Sequence, residues 1–134
     1  MFITAPPTSR RPFMVLPLGW AALVLVLTLT PSDEMPETPH WELLAFDTAA
    51  HAAVFVVLAA LSVFSLRRQL QWPALRRWAY SFVLLTNIAF GALIEFLQMT
   101  MDLGRHGEWS DLLSDSLGVV AGLAGMWLLR RWWQ

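Results

Sequence analysis

The sequence contains no cysteine, which excludes disulfides, thiolate metal ligands and cysteine nucleophiles. Charge is also scarce, since charged residues make up 14% of the 134 residues, whereas a typical soluble domain has about a quarter. The hydrophobic share is 57%. A soluble domain of this size cannot bury that much apolar surface. The low share of charged residues and the high share of hydrophobic residues therefore argue against a soluble globular protein and favour a membrane protein.

Strict alternation of apolar and polar residues is missing too, which argues against membrane β-hairpins. The chain instead has four apolar runs, each near the roughly 20 residues that a helix needs to cross a membrane. We place these helices at residues 13–29, 48–66, 80–101 and 112–129. The sequence predicts an all-α integral membrane protein, one domain over residues 1–134, folded as a four-transmembrane-helix bundle.

The basic residues predict the orientation of this bundle. Eight of them lie before the first run, between the second and third runs, or after the fourth: Arg10, Arg11, Arg67, Arg68, Arg76, Arg77, Arg130 and Arg131. Because basic loops stay in the cytoplasm, both termini are predicted to be cytoplasmic, with two loops outside. The first arginine pair also resembles a twin-arginine export signal. No small-residue cleavage site follows it, so we interpret the pair as an anchor of the first helix.

A polar face is predicted along the third helix. Asn87, Gly91, Glu95 and Gln98 fall within an arc of roughly 80°, so we expect this face to point into the bundle. Glu95 would lie roughly 6–9 Å inside the outer end of the helix. A carboxylate at that depth must pair, become neutral or line a water-filled pocket. Glu95 is therefore the leading candidate for a functional residue.

Ionisable residues also begin the second and fourth helices at the same membrane face. Asp47 and His51 are one turn apart, as are Asp111 and Asp115. Together with the carboxyl group on the third helix, five ionisable groups converge in the outer third of the bilayer. Asp47 and Asp111 also fit a purely structural role at the N-terminal ends of their helices, with Ser110 as the N-cap of the fourth helix. No spacing specific to a metal is present, so we predict neither metal nor cofactor.

The ordered motifs of the chain resemble the VanZ-like family of small membrane proteins. The matching pieces are Thr30-Pro31, Asp47-x-x-x-His51, Gly91-x-x-x-Glu95-x-x-Gln98, Arg105 ahead of Asp111, and the run from Asp111 to Gly118. The resemblance covers nearly the whole chain after the first helix. Two positions depart from the family pattern. Thr48 stands where a basic residue is common, and Asp115 stands where asparagine is common, which makes the site more negative.

The resemblance implies a cell-envelope protein of the bacterial cytoplasmic (inner) membrane. The founding member of the family is associated with low-level resistance to teicoplanin, a glycopeptide antibiotic that carries a lipid. Most relatives resemble envelope proteins without an assigned chemistry. Family membership therefore narrows location and architecture more than it narrows function.

Our first hypothesis is binding or modification of an amphiphilic envelope molecule, such as a lipid, a lipid-linked precursor or a lipoglycopeptide. In an enzymatic version, Glu95 would be the general acid and His51, oriented by Asp47, the general base. The Arg105 guanidinium could hold a phosphate or carboxylate head group. Four further residues are predicted to bind the ligand: Asp111, Asp115, Gln98 and Asn87.

Two other functions stay open at this point. One is a non-catalytic accessory subunit of a membrane complex, whose polar face fixes helix register against a membrane-protein partner. The other is a small proton-coupled transporter, which buried acids permit. The polar face of the third helix does not continue from Asn87 toward the cytoplasmic end, however, so the sequence shows no polar path across the membrane. Nucleic acid is not an expected partner, because the arginines flank helices in pairs and form no extended basic surface.

Overall fold

The computed structural model describes residues 14–31, 43–102, 104 and 107–134, and describes the side chains of the second helix from residue 48 onward. Every regular element in these ranges is a helix. In chain order they are α1 (Val15–Leu29), α2 (Leu43–Arg68), α3 (Pro73–Arg77), α4 (Ala79–Thr100), α5 (Trp109–Leu128) and α6 (Arg130–Trp133). The predicted all-α class is confirmed for the described part of the chain.

Three of these helices are long and apolar enough to cross a membrane: α2 from Thr48 onward, α4 and α5. α1 is apolar as well but has 15 residues, which gives it a length of about 22 Å. The hydrocarbon core of a bilayer is about 30 Å thick. A helical, multi-pass membrane bundle is therefore confirmed, whereas a full crossing by α1 stays a prediction.

Two helices begin earlier along the chain than the apolar runs indicated. α2 begins at Leu43 and α5 at Trp109, before the predicted starts at residues 48 and 112. The prediction began each apolar run after an acid, Asp47 or Asp111, but helical hydrogen bonding continues through both acids toward the N-terminus. The cap interpretations of Asp47 and Ser110 are therefore wrong. Asp47 lies inside α2, and the N-cap position of α5 belongs to Glu108.

α2 and α5 run parallel to each other in very close contact. Residues pair in step along both helices: Thr48 with Ser114, Ala52 with Gly118, and Val56 with Gly122. A Cβ atom at Gly118 would overlap the carbonyl group of Ala52, and one at Gly122 would lie 2.6 Å from the carbonyl oxygen of Val56. Small residues permit this approach of two backbones, as is common between membrane helices. Gly118 and Gly122 are therefore packing residues of the contact between α2 and α5.

α1 packs beside α2 and α4 through hydrogen bonds as well as apolar contacts. The indole N–H of Trp20 donates to the carbonyl oxygen of Val54 at 3.0 Å. The side-chain amide of Gln98 donates to the carbonyl oxygen of Thr28 at 2.9 Å. Because Gln98 and Thr28 lie near the C-terminal ends of their helices, α1 and α4 are parallel. The described helices therefore form an up-and-down bundle.

The described arginines gather at one end of the bundle, here named the arginine end: Arg67, Arg68, Arg76, Arg77, Arg130 and Arg131. The Arg67 guanidinium donates to the Gln134 side chain at 2.7 Å, which brings the C-terminus to this end. Four exposed indoles lie there as well: Trp72, Trp78, Trp127 and Trp132. Arginine and tryptophan together are typical of a membrane–water interface. The cytoplasmic placement of this end stays a prediction.

Candidate functional site

The opposite end of the bundle contains the buried ionisable residues, beginning with Glu95 on α4. Glu95 belongs to the buried face of α4, which consists of Ala79, Val83, Asn87, Gly91, Ile94, Glu95 and Gln98. The predicted burial of this face is confirmed, and Glu95 is only 4% exposed. Its Oε2 atom accepts the backbone N–H of Glu108 at 2.9 Å. Its buried Oε1 atom has no hydrogen-bond partner among the described residues.

His51 on α2 is paired with Asp115 on α5. The Nδ1 atom of His51 lies 3.0 Å from Oδ1 of Asp115, and the two side chains are 8% and 0% exposed. At this distance the imidazole N–H donates to the carboxylate, which leaves the lone pair of the ring on Nε2. We expected Asp47 to orient His51, but the contact that the structure describes comes from Asp115. The side chain of Asp47 lies outside the described residues.

Asp111 completes the group from the first turn of α5. One ligand atom each of His51, Glu95 and Asp111 lies within 4.8 Å of the other two. We name these three residues and Asp115 the acid–His cluster. Three helices supply its members, so no single run of sequence contains it. Four of the five ionisable groups that were predicted to converge therefore do so, and the side chain of the fifth, Asp47, lies outside the described residues.

Two glycines let the backbone close around the cluster. A Cβ atom at Gly91 would lie 3.1 Å from Oδ2 of Asp115, and one at Gly107 would lie 2.7 Å from the carbonyl oxygen of Glu95. Gly91 was predicted to share the polar face of α4, but Gly107 was not singled out from the sequence. It lies in a connector without periodicity, and its role becomes visible only when the connector folds over Glu95.

A cleft of about 100 Å³ opens beside the cluster between α4 and the start of α5. Its lining residues are Ala92, Glu95, Met99, Gly107, Glu108, Trp109 and Leu112. Met99 is 60% exposed and Trp109 is 84% exposed, so apolar walls face outward from the bundle. The cleft thus places a buried carboxyl group next to an exposed apolar surface.

The other predicted site residues lie apart from the cluster or outside the described residues. Gln98 is bonded to the carbonyl group of Thr28 and joins α4 to α1. Asn87 lines a separate cavity of about 160 Å³ bounded by α1, α2 and α4, and its buried Nδ2 atom has no described hydrogen-bond partner. Asn87 precedes Glu95 by two helical turns, or about 12 Å. Arg105 lies outside the described residues.

Apolar side chains fill the bundle beyond the cluster. Phe55 is 1% exposed, packs near Gly91, and stacks at a tilt on Phe90 with ring centroids 6.1 Å apart. The buried apolar core continues from there toward the arginine end: Leu58, Ala59, Val63, Val83 and Val119. In the described ranges, the acid–His cluster therefore lies at one end of the bundle, next to the apolar core.

This fold and this cluster define a small multi-pass helical membrane protein with a buried acid–histidine site near one membrane face. The family model described as VanZ/LLP1 matches residues 9–130, and the chain belongs to that family. The resemblance identified from the motifs is thereby confirmed. No curated protein and no solved structure matches the chain at a significant level.

Proposed function

We propose that the protein binds an amphiphilic molecule of the bacterial cell envelope at the outer face of the cytoplasmic membrane. The acid–His cluster would hold the polar head, and the adjacent cleft would hold the start of the apolar chain. Membership of the VanZ/LLP1 family supports a membrane protein linked to the envelope and to glycopeptide resistance. The charge distribution supports the outer location, because the described arginines lie at the other end of the bundle.

A single observation carries this proposal: Glu95 belongs to both the cluster and the cleft. A ligand that reaches Glu95 through the cleft passes the exposed side chains of Met99 and Trp109. Only a molecule with an apolar part gains from that path, and only one with a polar head satisfies the buried carboxyl group. Lipids and lipid-linked precursors have both parts.

The cluster also contains the groups needed for acid–base chemistry on a bound head group. The Asp115 carboxylate holds the imidazole of His51 through Nδ1, which orients Nε2 as a proton acceptor. Glu95, with one unpaired buried oxygen, would donate a proton as general acid. In this proposal Asp115 takes the orienting role that the sequence suggested for Asp47. Arg105, from the connector that also carries Gly107, remains the proposed partner of an anionic head group.

The test compares envelope lipids and co-purified ligands from cells that make the wild type, Glu95→Gln or Asp102→Asn at matched membrane abundance. Glutamine retains an oxygen that accepts the Glu108 N–H, so Glu95→Gln preserves the fold. Asp102→Asn removes the same charge from an exposed position at the same end. Asn tolerates the positive φ of 46° at that position, which makes this variant a matched control.

We expect native mass spectrometry to find a bound amphiphile on the wild type and on Asp102→Asn, and to find it depleted on Glu95→Gln. A change in the envelope lipid profile with the same dependence on Glu95 would show turnover. Equal ligand occupancy in all three proteins would contradict the proposal. If another protein co-purifies in place of a lipid, the accessory-subunit hypothesis replaces it.

A further inference from the structure

We infer that the acid–His cluster is a binding site for a divalent transition-metal cation, with Zn²⁺ as its representative. The ligands would be the imidazole of His51 and the carboxylates of Glu95 and Asp111, with Asp115 behind the imidazole. This inference goes beyond the proposed function and does not depend on ligand binding. It replaces the acid–base chemistry proposed above, because a cation on Nε2 of His51 and on the Glu95 carboxylate occupies the proton acceptor and the proton donor. It also departs from the sequence-based prediction, which included no metal.

The geometry of the donor atoms supports this assignment. One ligand atom from each of the three residues lies within 4.8 Å of the others. Zinc bonds to nitrogen and oxygen are about 2.0–2.2 Å long, so ligands on one zinc ion lie about 3–3.5 Å apart. Modest side-chain rotation closes the difference. Three protein ligands with at least one open position are the pattern of a zinc site that also binds water or a substrate.

The unpaired oxygen of Glu95 is a second, independent observation. Glu95 is 4% exposed, and its Oε1 atom is buried without a hydrogen-bond partner among the described residues. Buried carboxylate oxygens almost always have a partner, because desolvation without one is costly. Oε2 is already occupied by the N–H of Glu108. A cation shared with His51 and Asp111 would satisfy the remaining oxygen.

The contact between Asp115 and His51 is the support that histidine ligands of metals usually have. Such a histidine donates its other ring N–H to a carboxylate, which fixes the tautomer and strengthens the ligand. Here Nδ1 lies 3.0 Å from Oδ1 of Asp115, whose side chain is fully buried. In the proposed site, Nε2, the ring nitrogen that Asp115 does not contact, is the metal ligand. His51 therefore contacts the metal directly in the proposed site, and Asp115 contacts His51.

Charge favours a cation at this position. The carboxyl groups of Glu95, Asp111 and Asp115 lie around the imidazole of His51, and such a combination of anionic oxygen and neutral nitrogen donors favours a cation. A nitrogen ligand combined with oxygen ligands suits Zn²⁺ or a neighbouring transition metal better than Mg²⁺, which prefers oxygen alone.

The experiment measures metal binding by the purified full chain in detergent after treatment with a chelator. Zn²⁺ is titrated in competition with a chromophoric chelator, and retained metal is counted by mass spectrometry after gel filtration. We expect one tight equivalent per chain in the wild type and in Asp102→Asn, and loss of that equivalent in His51→Ala, Glu95→Gln and Asp111→Asn. Asp115→Asn should bind about 10–100-fold more weakly, as for other supports of a metal ligand.

A second measurement on the wild type does not require any variant to fold. X-ray absorption at the zinc edge should show a first shell of nitrogen and oxygen with the multiple scattering of one imidazole. Absence of a stoichiometric equivalent, equal binding by Glu95→Gln and the wild type, or Mg²⁺ affinity equal to that for Zn²⁺ would each overturn the inference. Retained zinc without any bound amphiphile would leave the metal site standing and contradict only the proposed function.

Discussion

Asp115 is the most enclosed ionisable side chain of the site, and its Oδ1 atom is paired while its buried Oδ2 atom has no hydrogen-bond partner among the described residues. The carboxylate is 0% exposed and accepts the Nδ1 N–H of His51, while its Oδ2 atom lies against the bare backbone at Gly91. A larger residue at position 91 would displace the carboxylate. The histidine pair and the glycine therefore act together to hold one rotamer of Asp115.

Substitutions of Asp115 should show whether the stability of the protein depends on the hydrogen-bond acceptor for His51 or on the negative charge of the carboxylate. Asp115→Asn retains an oxygen that accepts the His51 N–H, and asparagine is the residue common at this position in VanZ-like proteins. We expect its unfolding free energy to stay near that of the wild type. Asp115→Ala leaves the imidazole N–H buried without its acceptor and should cost about 1–3 kcal/mol. Unfolding by titration with SDS, followed by circular dichroism, measures both; equal losses would contradict the acceptor role.

Among the helices, the contact between α2 and α5 sets the geometry of the site. The pairing of Ala52 with Gly118 lies one turn beyond the pairing of Thr48 with Ser114, so it fixes the register that brings His51 beside Asp115. A change in the spacing of these two helices would separate the imidazole from its carboxylate. Gly118 therefore contributes to the geometry of the site although it is not one of the proposed ligand-binding residues.

Gly118→Ala should destabilise the bundle because its Cβ atom would overlap the carbonyl group of Ala52. Overpacking of this kind costs about 1–3 kcal/mol, and the shift should also weaken any ligand of the acid–His cluster. Gly125→Ala is the matched control, since no atom lies within 4 Å of a Cβ at that position. It should stabilise α5 by about 0.5–1 kcal/mol.

SDS unfolding of the two glycine variants checks this pair of expectations. If Gly118→Ala is as stable as the wild type, the close contact of α2 with α5 is wrong. If Gly125→Ala is the destabilised variant, the open side of α5 packs on a second chain in the membrane.

α1 depends on a small number of polar contacts because it is short. Trp20→Phe preserves most of the apolar contact and removes the hydrogen bond to the carbonyl oxygen of Val54. The expected cost is about 0.5–1.5 kcal/mol, seen as earlier loss of α1 in hydrogen–deuterium exchange. Trp132→Phe is the control, because Trp132 is 88% exposed. Equal exchange in α1 for both variants would show that the indole bond does not hold α1 in place.

At the scale of the whole molecule, charge is separated between two ends. The described arginines and four exposed indoles lie at the arginine end, and the buried acids lie at the other. This separation favours one orientation in the membrane, with the site open to the side that faces away from the cytoplasm. A ligand taken from the outer leaflet would then reach the cleft without crossing the bilayer.

Because the chain contains no cysteine, single-cysteine labelling can test this orientation directly. Gln71→Cys lies at the arginine end and Met101→Cys at the other, and both positions are exposed. A membrane-impermeant maleimide should label Met101→Cys in intact spheroplasts and label Gln71→Cys only after lysis. The reverse pattern would place the site in the cytoplasm and contradict the proposed access from the outer leaflet.

Much of the architecture was predictable because a membrane imposes simple rules on a sequence. Apolar length indicated the helices, arginine placement separated the two ends, and helical spacing identified the buried face that contains Glu95. The predicted helix starts were less accurate, since α2 and α5 continue through Asp47 and Asp111 and begin at Leu43 and Trp109. Asn87 was grouped with Glu95 because both lie on the same face of the third helix. Periodicity reports which face a residue occupies and does not report which cavity that face borders.

The sequence by itself determined the class of the protein, its family and the small set of residues from which a site can be built. These follow from local properties, namely hydropathy, spacing and charge, which the chain shows one segment at a time. Only the tertiary structure decided that Asp115 partners His51, that Gly107 closes over Glu95, and that Asn87 lies apart. Those pairings depend on the register and distance between helices far apart in sequence, which backbone packing at glycines sets.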